Sequence, residues 1–357
     1  MSVHMLNIPV TRAAQSRISE VDFDHLQFGK TFSDHMFVVD YKDGAWQEPQ
    51  VVPYGTMELS PATSSLHYGQ AIFEGMKAYR EESGDILLFR PLANLRRLNA
   101  SAERLCMPEL PEELFMQGLE QLLRVDADWV PIGKGRSLYI RPLMFATDDF
   151  IGVRPSLTYK FLIITGPVGA YYDVPVKVAV ETTYVRSAEG GAGFAKAAGN
   201  YAAALYPTRR MQQQGYDQLI WTDAKEHKYV EESGTMNVMF VIDNVLVTPS
   251  LSTSILHGIT RDSVLQVARD LGFKVEERKV SVEEVAQAYK AGKLQEAFGT
   301  GTAAIISQIA LIHYNGEDME LPPVQERTIS NAIGAELDKI RTAQAPDPHN
   351  WVYRLTL

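Results

Sequence analysis

The chain has 357 residues, of which 45% are hydrophobic and 22% are charged, and its formal net charge is −10. This length favours two domains, and the composition is ordinary for a globular protein. The negative charge, with no long run of Lys or Arg, argues against partners such as nucleic acid or an anionic membrane surface. The single cysteine, Cys106, excludes an intramolecular disulfide and a cysteine-rich zinc site, and its apolar helical surroundings predict a buried core position.

Targeting and metal signals are weak along the whole sequence. No apolar run approaches the length of a membrane span, and the N-terminus has no apolar signal core, so we expect a cytoplasmic protein with a free N-terminal arm. The eight histidines form no His-x-x-x-His or Glu-x-x-His cluster, so we expect no metal site.

Strands and helices are predicted to alternate in the first half of the chain. Residues 92–105 have the apolar spacing of a helix. The predicted strands cover residues 36–41, 86–89, 138–141, 160–165 and 176–180. A glycine-rich connection follows over residues 186–193.

The second half continues the mixture. Helices are predicted over residues 201–214, 261–271 and 282–291, a strand over 217–222, and a hairpin over 237–247 that turns at Asp243 and Asn244. The pattern predicts an α/β or α+β mixed architecture. We divide it into a smaller N-terminal α/β domain (1–172), a connection (173–186) and a larger C-terminal domain (187–357).

One lysine, Lys196, lies among glycines and alanines in residues 190–201, with no carboxylate beside it in sequence. A lysine that is desolvated or close to another cation loses its proton readily and becomes a nucleophile. This chemistry suits a Schiff base with an aldehyde cofactor. A flexible surface loop with an ordinary lysine also fits the pattern.

Two adjacent carboxylates, Glu231 and Glu232, precede a tight turn and a strand. A carboxylate against a pyridine nitrogen keeps that nitrogen protonated, so that the ring can draw electrons from a carbanion. A pair of solvated glutamates at a turn also fits this segment.

Three features are candidates for phosphate binding. In residues 254–263 a glycine and Thr260 open a helix whose first N–H groups suit an anion, although simple capping by Thr260 explains the same residues. In residues 298–304 alternating Gly and Thr allow backbone N–H groups to approach an anion closely. Arg97 has the fork to clamp a phosphate, or to pair with a surface acid.

Aromatic residues stand beside glycines in residues 67–79. They suit the wall of a small pocket, and a strand-and-turn core is the alternative.

Six motifs then occur in one order along the chain: Phe-Glu-Gly-Met-Lys-Ala at 73–78, Leu-Phe-Arg-Pro at 88–91, Tyr-Ile-Arg-Pro at 139–142, Gly-Pro-Val-Gly-Ala-Tyr at 166–171, Lys196 with Gly-Asn-Tyr at 199–201, and Glu-Ser-Gly-Thr-Met-Asn at 232–237. Together they resemble the branched-chain amino acid aminotransferases, in the class IV aminotransferase family of pyridoxal-phosphate fold type IV. The resemblance covers residues from about 28 to 304.

The resemblance implies a two-domain fold type IV enzyme, with pyridoxal 5′-phosphate between the domains and bound mainly by the C-terminal one. It implies a homodimer and a reversible ping-pong transfer of the amino group of L-leucine, L-isoleucine or L-valine to 2-oxoglutarate. Lys196 would form the Schiff base and shuttle the proton. Three relatives or alternatives stay open: a D-amino acid aminotransferase, an aminodeoxychorismate lyase and a catalytically silent binding protein.

Site residues follow from the matching motifs. Glu232, in preference to Glu231, is implied to pair with the pyridinium nitrogen, and Tyr201 with the ring hydroxyl. The other implied cofactor-binding residues, mostly at the phosphate, are Arg97, Thr235, Ile259, Thr260 and Thr302. The implied substrate pocket comprises Phe28, Tyr68, Phe73, Tyr139, Tyr171, Thr302, Ala303 and Arg141, the last receiving the distal carboxylate of glutamate. Ile151 and Val153 fall in a loop that the family contributes to the partner subunit's pocket.

Overall fold

The computed structural model describes residues 5–169 and 174–357. Its helices are α1 (Ser64–Tyr68), α2 (Pro91–Arg104), α3 (Glu112–Val125), α4 (Ala198–Gln212), α5 (Ile259–Asp270), α6 (Val282–Lys290) and α7 (Ile329–Arg341), with short 3₁₀ turns at Ile18–Glu20, Ala127–Trp129 and Val324–Glu326. None of the helices in these residues is long and apolar enough to cross a bilayer.

The strands in the described residues are β1 (His35–Lys42), β2 (Ala45–Trp46), β3 (Gln50–Pro53), β4 (Ala71–Phe73), β5 (Met76–Arg80), β6 (Ile86–Phe89), β7 (Ser137–Ala146), β8 (Tyr159–Val168), β9 (Val176–Val180), β10 (Gln218–Thr222), β11 (Val230–Ser233), β12 (Met236–Ile242), β13 (Val245–Thr248), β14 (Lys274–Glu277), β15 (Leu294–Thr300), β16 (Ser307–Tyr314), β17 (Glu317–Glu320) and β18 (Val352–Leu355). The mixed α/β architecture predicted from the sequence is therefore confirmed.

The chain divides into two compact units. The first unit comprises Met1–Tyr171, Ala195–Ala198 and Ile340–Leu357, and the second comprises Tyr172–Phe194 and Gly199–Lys339. The units differ from the predicted domains in two segments, which lie in the first unit although they belong to residues 187–357. The last strand, β18, pairs with β6 in the first unit, and Ala197 forms a bridge with Ile72. Backbone hydrogen bonding across large sequence separations decides both placements, and local patterns do not report it.

The first unit is built on an antiparallel sheet with strand order β18-β6-β5-β7-β8-β1-β2, with β3 on β1 and β4 on β7. Helix α3 packs its apolar stripe on this sheet because Phe115, Leu119 and Leu122 recur at helical spacing and are fully buried. Burying such side chains stabilises the unit by about 1.5–3 kcal/mol each.

In the second unit six strands form a ring. The order is β11-β10-β9-β16-β15-β12, and β11 also pairs with β12, so the ring closes without a free edge. Its core contains Val238, Phe240 and Ala297, with Val285 of α6 packed against them. The ring places β11, β12 and β15 side by side, which fixes the residues at their ends relative to one another.

Several predicted elements agree closely with the structure, and one prediction is wrong. The hairpin of β12 and β13 turns at Asp243 and Asn244, which both have positive φ, and α5 is followed by Gly272 at φ +80°. Cys106, however, is exposed and has φ +53°. Helix α2 ends at Arg104, so Cys106 lies beyond it in a left-handed turn and not in the helical core.

Candidate active site

Lys196 is held against the first unit by its own backbone. Its N–H donates to the Ser101 hydroxyl at 2.9 Å, and its carbonyl accepts the N–H of Phe73 at 3.1 Å. The neighbouring Ala195 and Ala197 are buried. The small residues around Lys196 therefore allow close backbone packing.

The surroundings of Lys196 favour its neutral form. Desolvation lowers the pKa of Lys196 to about 8, with Arg97 and Arg141 acting in the same direction and Glu74 and Tyr139 in the opposite one. The ammonium nitrogen lies 4.9 Å from the centre of the Phe73 ring. The alternative of an ordinary surface lysine is therefore wrong.

Arg97 is paired with a buried carboxylate and not with a surface acid. Its Nε and Nη2 donate to the two oxygens of Glu74, each at 2.8 Å, and Asn94 donates to Glu74 at 2.8 Å. Glu74 is 0% exposed. Sequence reasoning gave Glu74 no role, although it is the second residue of the Phe-Glu-Gly motif.

An aromatic and cationic wall stands beside Lys196. Arg141 donates to the Tyr139 hydroxyl at 2.8 Å, and its guanidinium carbon lies 4.7 Å from the centre of the Phe73 ring. Phe28 meets Tyr139 edge-on with ring centres 4.9 Å apart. A Cβ at Gly75 would lie 2.3 Å from the Tyr139 hydroxyl oxygen, so Gly75 makes room for that ring.

Arg141 also has unused donor capacity. Its Nε is buried and has no hydrogen-bond partner within the described residues. A buried donor without a partner is costly, and a bound carboxylate would satisfy it. We call Phe73, Glu74, Arg97, Tyr139, Arg141 and Lys196 the lysine group.

The remaining predicted residues of the first unit lie at its surface or outside the described ranges. Tyr68 ends α1 and is 43% exposed. Ile151 and Val153 are 65% and 91% exposed. Tyr171 lies outside the described residues.

In the second unit the two adjacent glutamates are buried and differ in their contacts. Glu232 accepts the N–H of Leu256 at 2.6 Å and lies 3.2 Å from Arg186 Nη2. Glu231 accepts from the Ser254 hydroxyl, while its other oxygen, Oε2, has no hydrogen-bond partner in the part of the chain that is described. The alternative of solvated turn glutamates is therefore wrong.

The two carboxylates also differ electrostatically. Burial raises the pKa of Glu231 to about 7 against the opposing effects of Ser254 and Arg186. Glu232 instead has a guanidinium and a backbone donor, which are contacts that stabilise an ionised carboxylate. This contrast favours Glu232 as the charged partner of a cofactor.

Asn237 brings the predicted segments of the second unit together. It pairs across the strands with Glu232 on one side and with Thr300 on the other, and its amide donates to the Leu256 carbonyl at 2.9 Å. A Cβ at Gly258 would lie 1.9 Å from Asn237 Oδ1. The carboxylate, the start of α5 and the end of β15 are thus neighbours. We call Arg186, Glu231, Glu232, Asn237 and Ser254 the glutamate group.

The two segments predicted to bind phosphate are the start of α5 and the loop that follows β15. Helix α5 begins at Ile259, and its N-cap residue is Gly258, so Thr260 does not cap it and that alternative is wrong. Thr302 and Ala303 are half-buried in the loop between β15 and β16. The start of α5 is a helix N-terminus, which is a position that favours an anion.

Thr235 and Tyr201 are the two remaining residues that were predicted to bind the cofactor. Thr235 is exposed in the turn between β11 and β12, and Tyr201 is half-buried in the first turn of α4. Arg186 had no local signal in the sequence, because its link to Glu232 arises only from tertiary packing.

Comparison with known proteins assigns the chain to a family. Residues 71–312 match the family model described as amino-transferase class IV. The branched-chain-amino-acid transaminase 1 of Bacillus subtilis strain 168 is 46% identical over 335 residues, which are 92% of this chain and 94% of that protein. This chain belongs to the class IV aminotransferases, among the branched-chain amino acid aminotransferases. The resemblance stated from its motifs is confirmed.

Solved structures agree with the fold of this aminotransferase. The branched-chain aminotransferase from Thermoproteus uzoniensis with norvaline has a TM-score of 0.74 and 28% identity, covering 90% of this chain and all (100%) of that chain. The T.th. branched-chain amino acid aminotransferase with pyridoxamine 5′-phosphate has a TM-score of 0.71 and 26% identity, covering 89% and 98%. The predicted fold type IV is therefore confirmed.

Proposed function

We propose that this aminotransferase moves the amino group of L-leucine, L-isoleucine or L-valine reversibly to 2-oxoglutarate, giving the branched 2-oxo acid and L-glutamate. The observation that carries the proposal is Lys196, a lysine with a lowered pKa whose ammonium lies against Phe73, in the same unit as the buried donor of Arg141. The named relatives supply the substrate class.

The residues present suit pyridoxal 5′-phosphate as the cofactor. Lys196 is the amine, Glu232 the anionic partner for a pyridinium nitrogen and Tyr201 the partner for a ring hydroxyl. The phosphate would be held by Arg97 and by the predicted cofactor residues of the second unit: Thr235, Ile259, Thr260 and Thr302. When bound, the cofactor supplies an electron sink for the carbanion formed at the substrate Cα.

The chain's own residues handle protons and charge. Because the pKa of Lys196 is about 8, an appreciable fraction of the amine is neutral near neutral pH and can accept the proton from the substrate Cα. Glu232 would accept a hydrogen bond from the protonated pyridine nitrogen, and its contacts with Arg186 and the Leu256 N–H are ones that an ionised carboxylate makes.

The two amino donors make different demands on one pocket. An isobutyl side chain needs an apolar wall, which the rings of Phe28, Phe73 and Tyr139 provide. The distal carboxylate of glutamate needs a cation, which Arg141 provides beside those rings. Tyr68, Tyr171, Thr302 and Ala303 complete the proposed substrate contacts.

The alternatives left by the sequence lack support of their own. No observation in the described residues favours D-amino acids or an aminodeoxychorismate substrate. A silent binding protein would not need Lys196 and Glu232 each held in a suitable charge state.

We also propose a homodimer. Val153 is 91% exposed and Ile151 65%, and both lie in the loop that relatives are inferred to extend to a partner. Such side chains are costly to leave in water together. Light scattering coupled to gel filtration should give a dimer, and Val153→Asp should weaken it; a monomer that retains full activity would contradict the proposal.

The test of the function is an absorbance spectrum of the protein with pyridoxal phosphate, before and after separate additions of L-leucine and D-alanine. We expect the visible band of the bound cofactor to disappear with L-leucine only. Loss with D-alanine only would transfer the assignment to D-amino acids. A bound cofactor that responds to neither would overturn the proposed substrate.

A further inference from the structure

Glu74 is a buried carboxylate with an unusually complete set of donors. Besides Arg97 and Asn94, the N–H of Gly75 donates to it at 3.2 Å. Burial by itself would raise the pKa of Glu74, but Arg97, Lys196 and Asn94 outweigh burial and hold the pKa below its usual value. Glu74 is therefore a charge kept ionised in the interior by its neighbours.

The contacts with Arg97 use one edge of the guanidinium. Nε and Nη2 each donate to one oxygen of Glu74 at 2.8 Å, which is the bidentate geometry of an arginine–carboxylate pair. Asn94 lies one helical turn before Arg97 on α2, so two donors of the same helix grip the carboxylate. The pair fixes the plane of the guanidinium, which a flexible arginine does not otherwise keep.

We propose that Glu74 is a positioning residue that holds the Arg97 guanidinium in the orientation for the cofactor phosphate and partly balances the positive charge around Lys196. The inference rests on the proposed function, because it takes pyridoxal 5′-phosphate as the cofactor. Glu74 touches neither substrate nor cofactor in this scheme and acts only through Arg97 and Lys196.

The two proposed roles of Glu74 act at different places: one at the cofactor phosphate, through Arg97, and one at the amine of Lys196. Four charged or titratable groups influence the pKa of Lys196: Arg97 and Arg141 lower it, while Glu74 and Tyr139 raise it. Neutralising Glu74 removes one of the two raising influences. The pKa of Lys196 should then fall further while the hold on the phosphate weakens. Damage to packing alone would not separate these effects.

The experiment compares pyridoxal 5′-phosphate with pyridoxal, which lacks the phosphate, as ligands of the apo-protein. In Glu74→Gln we expect the affinity for pyridoxal 5′-phosphate to fall roughly 10- to 100-fold, as for loss of a charged hydrogen bond. The affinity for pyridoxal should stay within about threefold, because Arg97 has no phosphate to bind. An equal loss for both ligands, or no change in their ratio, would overturn the inference.

A second readout follows the amine without any cofactor. The rate at which acetic anhydride labels Lys196 in the apo-protein, measured by mass spectrometry across pH, should have its midpoint near the pKa of about 8 in the wild type. In Glu74→Gln the midpoint should move to lower pH. A midpoint that stays in place would contradict the charge-balancing role.

Two controls keep the result interpretable. Glu296 is also buried, at 2% exposed, but its oxygens accept the N–H groups of Thr328, Ile329 and Ser330. Glu296→Gln should leave both the ligand ratio and the labelling midpoint unchanged. If Glu74→Gln does not fold, Asn94→Ala loosens the same carboxylate and should lower the ratio about threefold to tenfold; an unchanged ratio in a folded Asn94→Ala variant overturns the inference.

The failures of the two proposals are distinguishable. A wild-type apo-protein that binds neither aldehyde would overturn the proposed function together with this inference. Binding by the wild type with an unchanged ratio in Glu74→Gln would overturn this inference alone.

Discussion

In the lysine group Lys196 lies close enough to Arg97, Arg141 and the buried carboxylate of Glu74 for all three to influence its pKa. In the glutamate group two carboxylates, Glu231 and Glu232, lie near one arginine, Arg186. Desolvation, assisted by Arg97 and Arg141, lowers the pKa of Lys196 to about 8 and favours the neutral amine. The glutamate group holds Glu232 with Arg186 and a backbone donor, which favours the charged form. Transamination needs a basic amine and an anionic partner for the electron sink, and Lys196 and Glu232 are the proposed residues for these roles.

Removing the amine of Lys196 should disturb the contrast between the two groups more than any other change. We expect Lys196→Ala to lower the rate of leucine transamination by at least about 10³-fold, because nucleophile and base are lost together. A coupled assay of glutamate formation measures it. Lys274→Ala, which alters a lysine whose side chain is 69% exposed, is the matched control and should keep wild-type turnover. Substantial activity in Lys196→Ala would refute the mechanism.

The next test separates the two glutamates. Glu232→Gln should slow Cα proton removal by roughly 10²- to 10³-fold, since a neutral amide holds the pyridine proton poorly. Glu231→Gln should stay within a few-fold of the wild type, because burial raises the pKa of Glu231 to about 7 and leaves it only partly ionised near neutral pH. Stopped-flow measurement of the leucine half-reaction compares them. Equal losses would mean that the adjacent carboxylates share the role.

Arg141 tests the lysine group by substrate, because this residue should affect 2-oxoglutarate and leave leucine almost unaffected. Arg141→Gln should raise the KM for 2-oxoglutarate roughly 10- to 100-fold by removing a charge-assisted contact. The KM for leucine should change by less than about threefold, since its side chain has no carboxylate. Steady-state kinetics with Arg136→Gln as control, at a half-buried arginine paired with Asp24, checks this. A parallel rise for leucine would show general damage to the pocket.

The smallest expected effect concerns stability and pH in the glutamate group. The pKa of Glu231 is raised from its ordinary 4.5 to about 7 in the folded state. Its favourable contribution is therefore complete below pH 4.5 and is lost as the pH rises through 7. Glu231→Gln cannot ionise, so it should be more stable than the wild type by about 1–3 kcal/mol at pH 8 and should lose that advantage near pH 5. Thermal melts at both pH values measure it, and an advantage independent of pH would assign the effect to packing.

Local patterns predicted much of the scaffold. The strands β6 and β9 were predicted to the residue, and the turn of the β12–β13 hairpin falls at the predicted Asp243 and Asn244. These elements have strong local signals: the apolar run of β6, the valines at alternate positions of β9, and turn residues that accept positive φ. Helix α3 was missed although Phe115, Leu119 and Leu122 have helical spacing, so that signal was available and not used.

The sequence did not identify the residues that form ion pairs with the predicted site residues. Arg97 was named without Glu74, and Glu232 without Arg186, because an ion pair between distant segments leaves no periodic trace. The exposed position of Cys106 has a similar cause, since the exact end of α2 depends on the turn that follows it.

The sequence by itself determined the mixed α/β class, the aminotransferase family and which lysine, glutamates and arginines are candidates, because those depend on residue type, order and local periodicity. The tertiary structure decided that Lys196 packs on the first unit, that β18 returns to β6, and that Glu74 rather than a surface acid holds Arg97. It also decided that Glu232, of the two adjacent glutamates, forms the ion pair with Arg186. Burial and long-range pairing set charge states, and both exist only once distant parts of the chain are in contact.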